Sequence, residues 1–535
     1  MNFTERMKDL IKKGASMEEI ASSFGLDVNA LPPEWMMFIS NSIMFTCSMM
    51  AQLESVNSKM EGMTLEMVGM NDKVEALTSA IGSLQDSLRE KNNKNSSNSS
   101  LPPSRDGYSK PNRNTSLREK SGRKPGAQEG HKGKGLKKVM ADETQEHDHY
   151  PMECMKCENF ASCVSLMKAV STGHVYETRT IVTDNEHKAY SIVCPKIRKL
   201  LCGENPKGVK SSQQYGNSIK EYVVSLWSIG VTSLNRLKKL VSKHLGLDVS
   251  EGTISNMLID FASKCGKAVE KVKDFLKGSK TKGADETGIR TEGSLHWLHV
   301  VCNNKATYLY ADKKRGFDAV SGENGILLDS FGTLIHDCFS PYFKLNNIEH
   351  AICLQHIQRE LRAAAIREKK EEEYFKDLES FLLEMRKAKM DAIEEGKTSL
   401  DKETIEMLKK RFRLKIENGL SKFKKPKRCR LKLGKIPEGK TRSLLLRLQA
   451  NENAVFKFLE DFEVEYTNNE SERSLRPSKV RQSVSKCFRK LEGLKRFASI
   501  QTVLDTANKN KIDHSTIIRA VLDGSADSLL ASVLG

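Results

Sequence analysis

Cysteine is scarce in this chain, and so are long apolar runs. Twelve cysteines among 535 residues are too few for a scaffold held together by disulfides. Hydrophobic residues make up only 38% and the mean hydropathy is −0.50, so we do not expect an integral membrane protein. The first residues, up to 7–11, do not show the basic region followed by an apolar region that is typical of a secretory signal, so no such signal is expected. The length predicts three or four domains, and the composition is too apolar for a wholly disordered chain.

Basic residues are abundant, and they are concentrated in three blocks. The chain has 87 Lys and Arg against 69 Asp and Glu, a formal net charge of +18. Residues 94–138 have 12 basic and 3 acidic residues, 409–447 have 16 and 2, and 473–496 have 9 and 1. The rest of the chain is therefore net acidic. Such blocks favour contact with nucleic-acid phosphates, although basic runs also occur as solvated surface.

Apolar residues in the N-terminal region recur in heptads. The a positions are Leu53, Met60, Met67, Val74, Ile81 and Leu88, and the d positions are Val56, Met63, Met70, Leu77 and Leu84. This pattern predicts a coiled coil between copies of the chain rather than a helix packed in its own domain. Before it, Ser16 and Glu19 predict a capping box in a helix–turn–helix-like segment, and 35–51 is predicted to be a buried helix.

A linker and a Cys/His-rich segment follow the heptads. Residues 92–138 are rich in Asn, Ser, Pro, Gly and basic residues, which predicts a flexible basic linker. Residues 139–203 contain nine Cys and His, and Cys154 and Cys157 have the spacing of half a zinc site. A second Cys-x2-Cys pair is missing. The segment is therefore either a zinc module or a small β-rich module with unmetallated thiols.

A second helix–turn–helix-like segment lies within 204–279. Ser250 is the predicted N-cap of a helix that exposes Thr253 and Asn256 and turns Ile254 and Leu258 inward. Small polar residues on the outer face suit contact with DNA bases or phosphates. A plain helical subdomain fits the pattern equally well.

From residue 280 the pattern changes to strands that carry acidic residues. Three antiparallel strands are predicted, with Asp285 on the first, and a later short strand ends at Asp337. After a helical region at about 357–421, Glu472 lies on a helix that Pro477 is predicted to kink or end. Two strand-borne aspartates and one helix-borne glutamate suit a two-metal phosphoryl-transfer site, because Mg²⁺ prefers oxygen ligands.

Motifs from about residue 92 to about 505 resemble the insertion sequence 66 family of bacterial transposases. They are an Asn-Ser-Ser-x-x-Ser-x-x-Pro-Pro-Ser-x-Asp run at 95–106, Gly-Arg-Lys-Pro-Gly-Ala-Gln-Glu-Gly-His at 122–131, Asp285-Glu-Thr, Trp297-Leu-His-Val, Arg315-Gly, Asp337 with Tyr342, Cys353-x2-His356-x2-Arg359, and Asn468-Asn-x-x-Glu472-Arg-x-x-Arg476-Pro. Their order and spacing together are highly specific.

The resemblance implies an RNase H-like DDE domain in which Asp285, Asp337 and Glu472 bind two Mg²⁺ or Mn²⁺ ions. Glu470 is the rival third acid, and Glu286 is left out because it would point to the other face of its strand. The Cys353/His356 pair recurs in the family without a role that we can assign. The basic blocks add candidate DNA contacts: Arg473, Arg476, Lys424, Lys425, Lys427 and Arg428.

We therefore predict a multidomain α/β protein with an RNase H-like catalytic core. The predicted segments are 1–52 helical, 53–91 coiled coil, 92–138 linker, 139–203 Cys/His-rich, 204–279 helical and DNA-binding, 280–500 DDE domain with a helical insertion at about 357–460, and 501–535 a helical tail. The predicted function is a cytoplasmic, nucleoid-associated DNA transposase that pairs through 53–88, with or without accessory proteins. The alternatives are a transposase-derived DNA-binding protein and a nuclease that cuts without joining.

Overall fold

The computed structural model describes residues 3–30, 32–92, 144–172, 174–175, 180–206, 209, 211, 213–425 and 439–535. The described residues form two compact units: one contains those from 3 to 92, and the other contains those from 144 to 425 and from 439 onward. The linker at 93–138 and the basic residues Lys427 and Arg428 lie outside the described residues. Their predicted roles stay predictions.

The N-terminal unit is entirely helical where it is described. It consists of α1 (Phe3–Lys12), α2 (Met17–Ser23), a short 3₁₀ turn, and α3 (Pro33–Asn92). The Glu19 N–H donates to Ser16 Oγ at 3.2 Å and the Ser16 N–H donates to Glu19 Oε2 at 2.8 Å. The capping box predicted at the start of α2 is therefore confirmed.

Helix α3 is 60 residues long, and its apolar side chains are exposed to solvent. At 1.5 Å per residue the helix is about 90 Å long. Nine seam residues from Leu53 to Ile81 are among the exposed large apolar side chains, and the side chains of Leu84 and Leu88 are outside the described set. The prediction that 35–51 is buried is wrong, because Trp35, Phe38 and Phe45 are each at least 60% exposed. None of the described residues covers this stretch.

One stretch of α3, Pro33–Glu75, is long and apolar enough to cross a membrane by length and composition alone. Core helices of soluble proteins and signal sequences meet the same criterion, so it is weak support for a membrane span. From Leu53 to Glu75 this stretch also has heptad spacing, which is typical of a coiled coil. A lipid-facing helix does not need a seam that repeats every seven residues.

The Cys/His-rich segment contains little regular structure. Its elements are α4 (Met152–Met155), α5 (Phe160–Cys163) and a small antiparallel hairpin of β1 (Ser191–Val193) and β2 (Leu200–Cys202). The Cys157 N–H donates to Cys154 O at 3.0 Å, and both cysteines are free thiols. The zinc prediction for Cys154 and Cys157 stays a prediction.

Four helices precede the main sheet: α6 (Asn217–Ser228), α7 (Leu234–Leu245), α8 (Glu251–Lys264) and α9 (Gly266–Lys277). Ser250 is the N-cap of α8, since its Oγ accepts a hydrogen bond from the Thr253 N–H at 3.0 Å. Ile254 and Leu258 are buried and Asn256 is exposed, as predicted. The amphipathic pattern of α8 therefore packs this helix against the core in the expected orientation.

The central sheet has five strands in the order β5-β4-β3-β6-β7. Its strands are β3 (Thr281–Thr291), β4 (Ser294–Cys302), β5 (Thr307–Asp312), β6 (Thr333–His336) and β7 (Glu349–Ile352). β3, β4 and β5 pair antiparallel in succession, which confirms the predicted three-stranded meander. β6 pairs parallel with β3, and β7 pairs parallel with β6. The protein is therefore mixed α/β, with β3 in the middle of a mixed sheet.

Helices follow the sheet in two groups, each with its own core. The first group is α11 (Leu354–Arg367), α12 (Glu372–Glu394), α13 (Lys402–Lys422), α14 (Lys440–Ala450) and α15 (Glu452–Glu460), preceded by the single turn α10 (Phe317–Val320). Its apolar core includes Phe375, Phe412 and Phe456. The second group is α16 (Asn469–Ser485), α17 (Leu491–Lys509), α18 (His514–Asp523) and α19 (Ala526–Leu534). Residues of these four helices share the core of the sheet and of α6–α9.

Helix α16 continues through Pro477, so the alternative that the helix ends there is wrong. Proline removes one helical hydrogen bond, which would ordinarily stop an exposed helix. Here the buried side chains of Ser474, Leu475, Ser478 and Arg481 hold both sides of the proline against the protein. Tertiary packing therefore outweighs the local cost of the proline.

Candidate active site

Two of the predicted acids lie at the same edge of the sheet. β3 and β6 run parallel with Gly283 paired to Ile335, and Asp285 and Asp337 each lie two residues beyond that pair. Asp285 is inside β3, whereas Asp337 directly follows β6. The strand register therefore brings these two aspartates to the same level of the sheet.

The pKa of Asp285 responds to the neighbouring acids. Burial, together with the nearby carboxylates of Asp337 and Glu286, raises the pKa of Asp285 to about 7. Asp285 Oδ1 accepts a hydrogen bond from the Glu286 N–H at 2.8 Å, and Asp337 Oδ1 accepts one from the Phe339 N–H at 3.1 Å. A cation placed between these groups would relieve the repulsion and favour the ionised form of Asp285.

Glu472 is brought toward these aspartates by close packing of α16 on β3. Asn468, the residue before the helix, donates from Nδ2 to Ala284 O at 2.7 Å and accepts from Ser471 Oγ at 2.7 Å. A Cβ on Gly283 would lie 2.4 Å from Asn468 Oδ1 and 2.5 Å from Ser471 Oγ. Only glycine at 283 permits this approach. Glu472 lies in the first turn of the helix that is docked in this way.

The carboxylate of Glu472 lies between two cationic side chains of α11. Its Oε1 is 3.5 Å from His356 Nε2 and 3.9 Å from Arg359 Nη1, and it is buried without a hydrogen bond. The rival acid Glu470 is differently placed, because its carboxylate pairs with Arg473 at 3.1 Å and Lys509 at 3.2 Å. The contacts of Glu470 thus occupy both of its oxygens, whereas Glu472 keeps an oxygen for a further partner.

The Cys353/His356 pair, to which the sequence assigned no role, joins α11 to α16. Cys353 is the buried N-cap residue of α11, and its Sγ accepts a hydrogen bond from the Asn468 N–H at 3.2 Å. Burial alone would lower the pKa of His356, but its hydrogen bond with Cys353 and the charge of Glu472 raise it to about 9. The two residues that separate Cys353 from His356 place both side chains at the first turn of α11. This spacing was the available signal for a shared site.

Glu286, expected on the opposite face of its strand, forms a second buried cluster. Its carboxylate accepts from Tyr342 Oη at 2.7 Å and from Arg315 Nε at 2.8 Å. The Arg315 guanidinium also lies 4.1 Å from the ring centroid of Phe339. Burial raises the pKa of Glu286 despite the opposing effects of Tyr342 and Arg315. The cluster fixes the segment that follows Asp337, and Arg315 and Tyr342 had appeared in the sequence only as motif residues.

The donor set has the chemistry that a divalent oxygen-loving cation requires. Asp285 and Asp337 are two carboxylates that repel each other, and Glu472 has a buried oxygen that makes no hydrogen bond. Among the described residues, no group of three or more His, Cys, Asp or Glu side chains is arranged closely enough to hold a metal ion. The residues therefore fit Mg²⁺ in type, and the aspartate pair is the part of the set that lies together.

The predicted DNA-contact residues differ in their surroundings. Arg473 and Arg476 are exposed on α16 next to Glu472, and Lys424 and Lys425 are exposed beyond α13. In contrast, much of the 409–447 block is neutralised within the helical insertion. Its ion pairs are Lys409–Glu460, Arg411–Glu384, Arg413–Glu452, Lys415–Asp377, Lys422–Glu371 and Arg447–Glu360. A high local count of basic residues was therefore a poor guide to free positive charge.

Comparison with known protein families assigns this chain. A family of unknown function matches residues 51–137, which include the heptads and the linker. No curated protein matches the chain. The family model for the Transposase IS66 family matches residues 214–496, just over half of the chain, and covers both aspartates, Glu472 and the helices around them. The chain therefore belongs to the IS66 family of transposases.

Proposed function

We propose that this chain is a DDE-type DNA transposase that cuts the ends of a mobile element and joins them to target DNA. The observation that carries the proposal is the pairing of Asp285 and Asp337 at one sheet edge, with Glu472 on the helix docked beside it. A strained pair of carboxylates is costly to the fold, which supports a functional reason for keeping it.

An RNase H-like core is part of this proposal. Its support is the five-stranded order, in which an antiparallel meander of three strands is extended by two parallel strands from its first strand. The helical stretch from Leu354 to Glu460 lies in the chain between the second and third acids. That position agrees with the insertion that the family resemblance implies.

Asp285, Asp337 and Glu472 would hold Mg²⁺ or Mn²⁺. Two such ions, when bound, would polarise the scissile phosphate and make water a stronger nucleophile. The chain itself positions the acids: Asn468 docks α16 on β3, and His356 and Arg359 flank the carboxylate of Glu472. Without this support the third carboxylate would be free to turn into solvent.

The proposed reaction has two balanced steps. In the first, a water oxygen bonds to phosphorus, the bond from phosphorus to the 3′ oxygen breaks, and the 3′ oxygen takes up a proton. In the second, this 3′-hydroxyl oxygen gives up its proton and bonds to a target phosphorus, while the target's own 3′ oxygen leaves and takes up a proton. One phosphodiester replaces another in the second step, so no external energy source is needed.

DNA contacts and self-association complete the proposal. Arg473 and Arg476 are exposed next to Glu472, and we assign them, with Lys424, Lys425, Lys427 and Arg428, to phosphate binding. Pairing of copies through residues 53–88 would bring two element ends together. Zinc binding at Cys154 and Cys157 is also proposed, because thiolates at this spacing suit Zn²⁺.

Cleavage and joining assays with Asp285→Asn, Asp337→Asn and Glu472→Gln test the proposal. Each variant should lose strand cleavage and joining by at least about 1,000-fold while still binding DNA. Glu470→Gln is the matched control, because it changes the neighbouring acid on the same helix turn, and it should retain cleavage. Full activity of any of the three acid variants would contradict the assignment. Cutting without joining by the wild type would instead indicate a nuclease.

A further inference from the structure

The outer face of α7 carries a stripe of exposed basic side chains. Arg236, Lys239 and Lys243 are exposed, while Leu237 and Val241 on the other side of the helix are fully buried. Spacings of three and four residues place the three cations on one face over about 10 Å. The stripe is therefore fixed in direction by the packing of the helix.

These cations differ from those of the 409–447 block in having no acidic partner. Across the described ranges, no carboxylate lies within ion-pairing distance of Arg236, Lys239 or Lys243. The nearby Glu251 instead accepts a hydrogen bond from Asn235 Nδ2 at 3.0 Å. Three unneutralised cations on one rigid helix favour a polyanionic ligand.

The stripe is joined to the helix that carries Glu472. A concave surface of about 360 Å³ is lined by Arg236 and Lys239 of α7, by the 230–232 loop and by Val484 of α16. Arg481, which is only 5% exposed, stacks 4.0 Å above the Trp227 ring and donates to Trp227 O. This cation–π stacking and the hydrogen bond to Trp227 O join α16 to α6.

The position of the stripe relative to the candidate active site follows from α16 itself. Glu472 and Val484 are twelve residues apart on one helix, or about 18 Å along its axis. Duplex DNA rises about 3.4 Å per base pair, so this length corresponds to about five base pairs. Lys486, exposed just beyond the end of α16, extends the basic surface at the same end.

We propose that Arg236, Lys239 and Lys243, with Lys486, bind the phosphate backbone of duplex DNA about five base pairs from the bond that is cut. The proposal rests on the transposase function proposed above and adds to it a second DNA-binding surface outside the acidic site. Lys and Arg side chains without an ordered acidic partner are free to contact phosphate oxygens, and such contacts carry no sequence information directly.

The test compares two triple variants that remove equal charge from exposed helix faces. In Arg236→Gln/Lys239→Gln/Lys243→Gln, affinity for a mixed-sequence duplex of about 30 base pairs should fall about 10- to 100-fold at 100 mM salt, and the salt slope of log affinity should decrease by about 2 to 3. Arg411→Gln/Arg413→Gln/Lys415→Gln is the matched control, because its cations are already paired. Its slope should change by less than about 1.

The outcome separates this inference from the proposed function. An unchanged slope in the α7 variant, or an equal change in the control, overturns the α7 surface even if the wild type cuts and joins DNA. If affinity falls in the α7 variant and not in the control, but the wild type cuts no DNA, the α7 surface stands and the transposase proposal is overturned. Phosphate-ethylation interference gives the position: the signal lost in the α7 variant should lie about four to six base pairs from the cut bond.

Discussion

Helix α3 exposes apolar side chains to solvent, whereas the central sheet buries acidic ones. In α3 apolar residues such as Met60 and Met67 are at least 60% exposed, whereas at the sheet edge Asp285 and Glu286 are held among other acids in the protein. Neither arrangement is favourable for the isolated chain, because exposing apolar side chains to water costs free energy and so does burying charged carboxylates. We propose that each region is completed by something it binds: a second apolar surface for α3, and a cation for the acids.

The largest effect should come from breaking the support of the acidic site. In Gly283→Ala, the new Cβ would lie 2.4 Å from Asn468 Oδ1 and 2.5 Å from Ser471 Oγ, so these two side chains, which seat α16 on β3, must shift, and we expect α16 to shift with them. A displacement of about 1 Å at the third acid should lower the DNA cleavage rate about 100-fold or more. Gly266→Ala is the control, since no heavy atom lies within 4 Å of its Cβ. Equal activity of the two variants would show that close docking is not required.

The next effect concerns the exposed seam of α3. Met60→Asp/Met67→Asp places charge at two a positions and should weaken self-association about 100-fold or more, as measured by sedimentation equilibrium. The control is Leu65→Asp/Val68→Asp, which changes two equally exposed apolar residues that lie off the seam. It should leave association almost unchanged. Equal effects of both pairs would indicate a general apolar surface, such as a membrane-facing one, rather than a heptad seam.

Local sequence patterns predicted the helices and strands better than they predicted the tertiary contacts of individual side chains. The capping box of α2 and the strand meander follow from neighbouring residues, and the register of β3 on β6 then aligns Asp285 with Asp337. The family motif selected Glu472, because no local rule separates it from Glu470. The role of Gly283 was not visible, since it depends on Asn468, which is 185 positions away. Ion pairing of the 409–447 block was hidden for the same reason.

The pH dependence of stability should sharpen the contrast between the two regions. The pKa of Asp285 is about 7 in the folded protein and about 4 in an unfolded chain, so between these values the folded state binds more protons. Stability contributed by the protonated group is therefore lost as the pH rises from about 4 to 7. Asp285→Asn removes the charge and should raise the thermal midpoint by about 2–5 °C at pH 8, measured without divalent ions.

The same variant should show little gain at pH 5, where the wild-type carboxyl is protonated. Addition of Mg²⁺ at pH 8 should stabilise the wild type more than Asp285→Asn, because only the wild type offers both carboxylates. Met67→Asp in α3 is the comparison outside the site: it leaves the three acids unchanged, so Mg²⁺ should raise its midpoint as much as it raises that of the wild type. A wild type that is more stable than Asp285→Asn at pH 8 without divalent ions would contradict the predicted repulsion.

The smallest effect should come from the thiol that links α11 to α16. Cys353→Ala leaves the buried Asn468 N–H without its acceptor and should lower the free energy of unfolding by about 1–3 kcal/mol, whereas Cys353→Ser restores an acceptor and should lose less. The order should reverse at Cys265, which is buried in apolar surroundings of the α6–α9 core, because serine there brings a hydroxyl into the core and alanine does not. Urea denaturation of the four variants measures both orders. If alanine is better tolerated than serine at both positions, the Cys353 thiol acts only by filling space, and the docking of α16 depends on Asn468 and Gly283 alone.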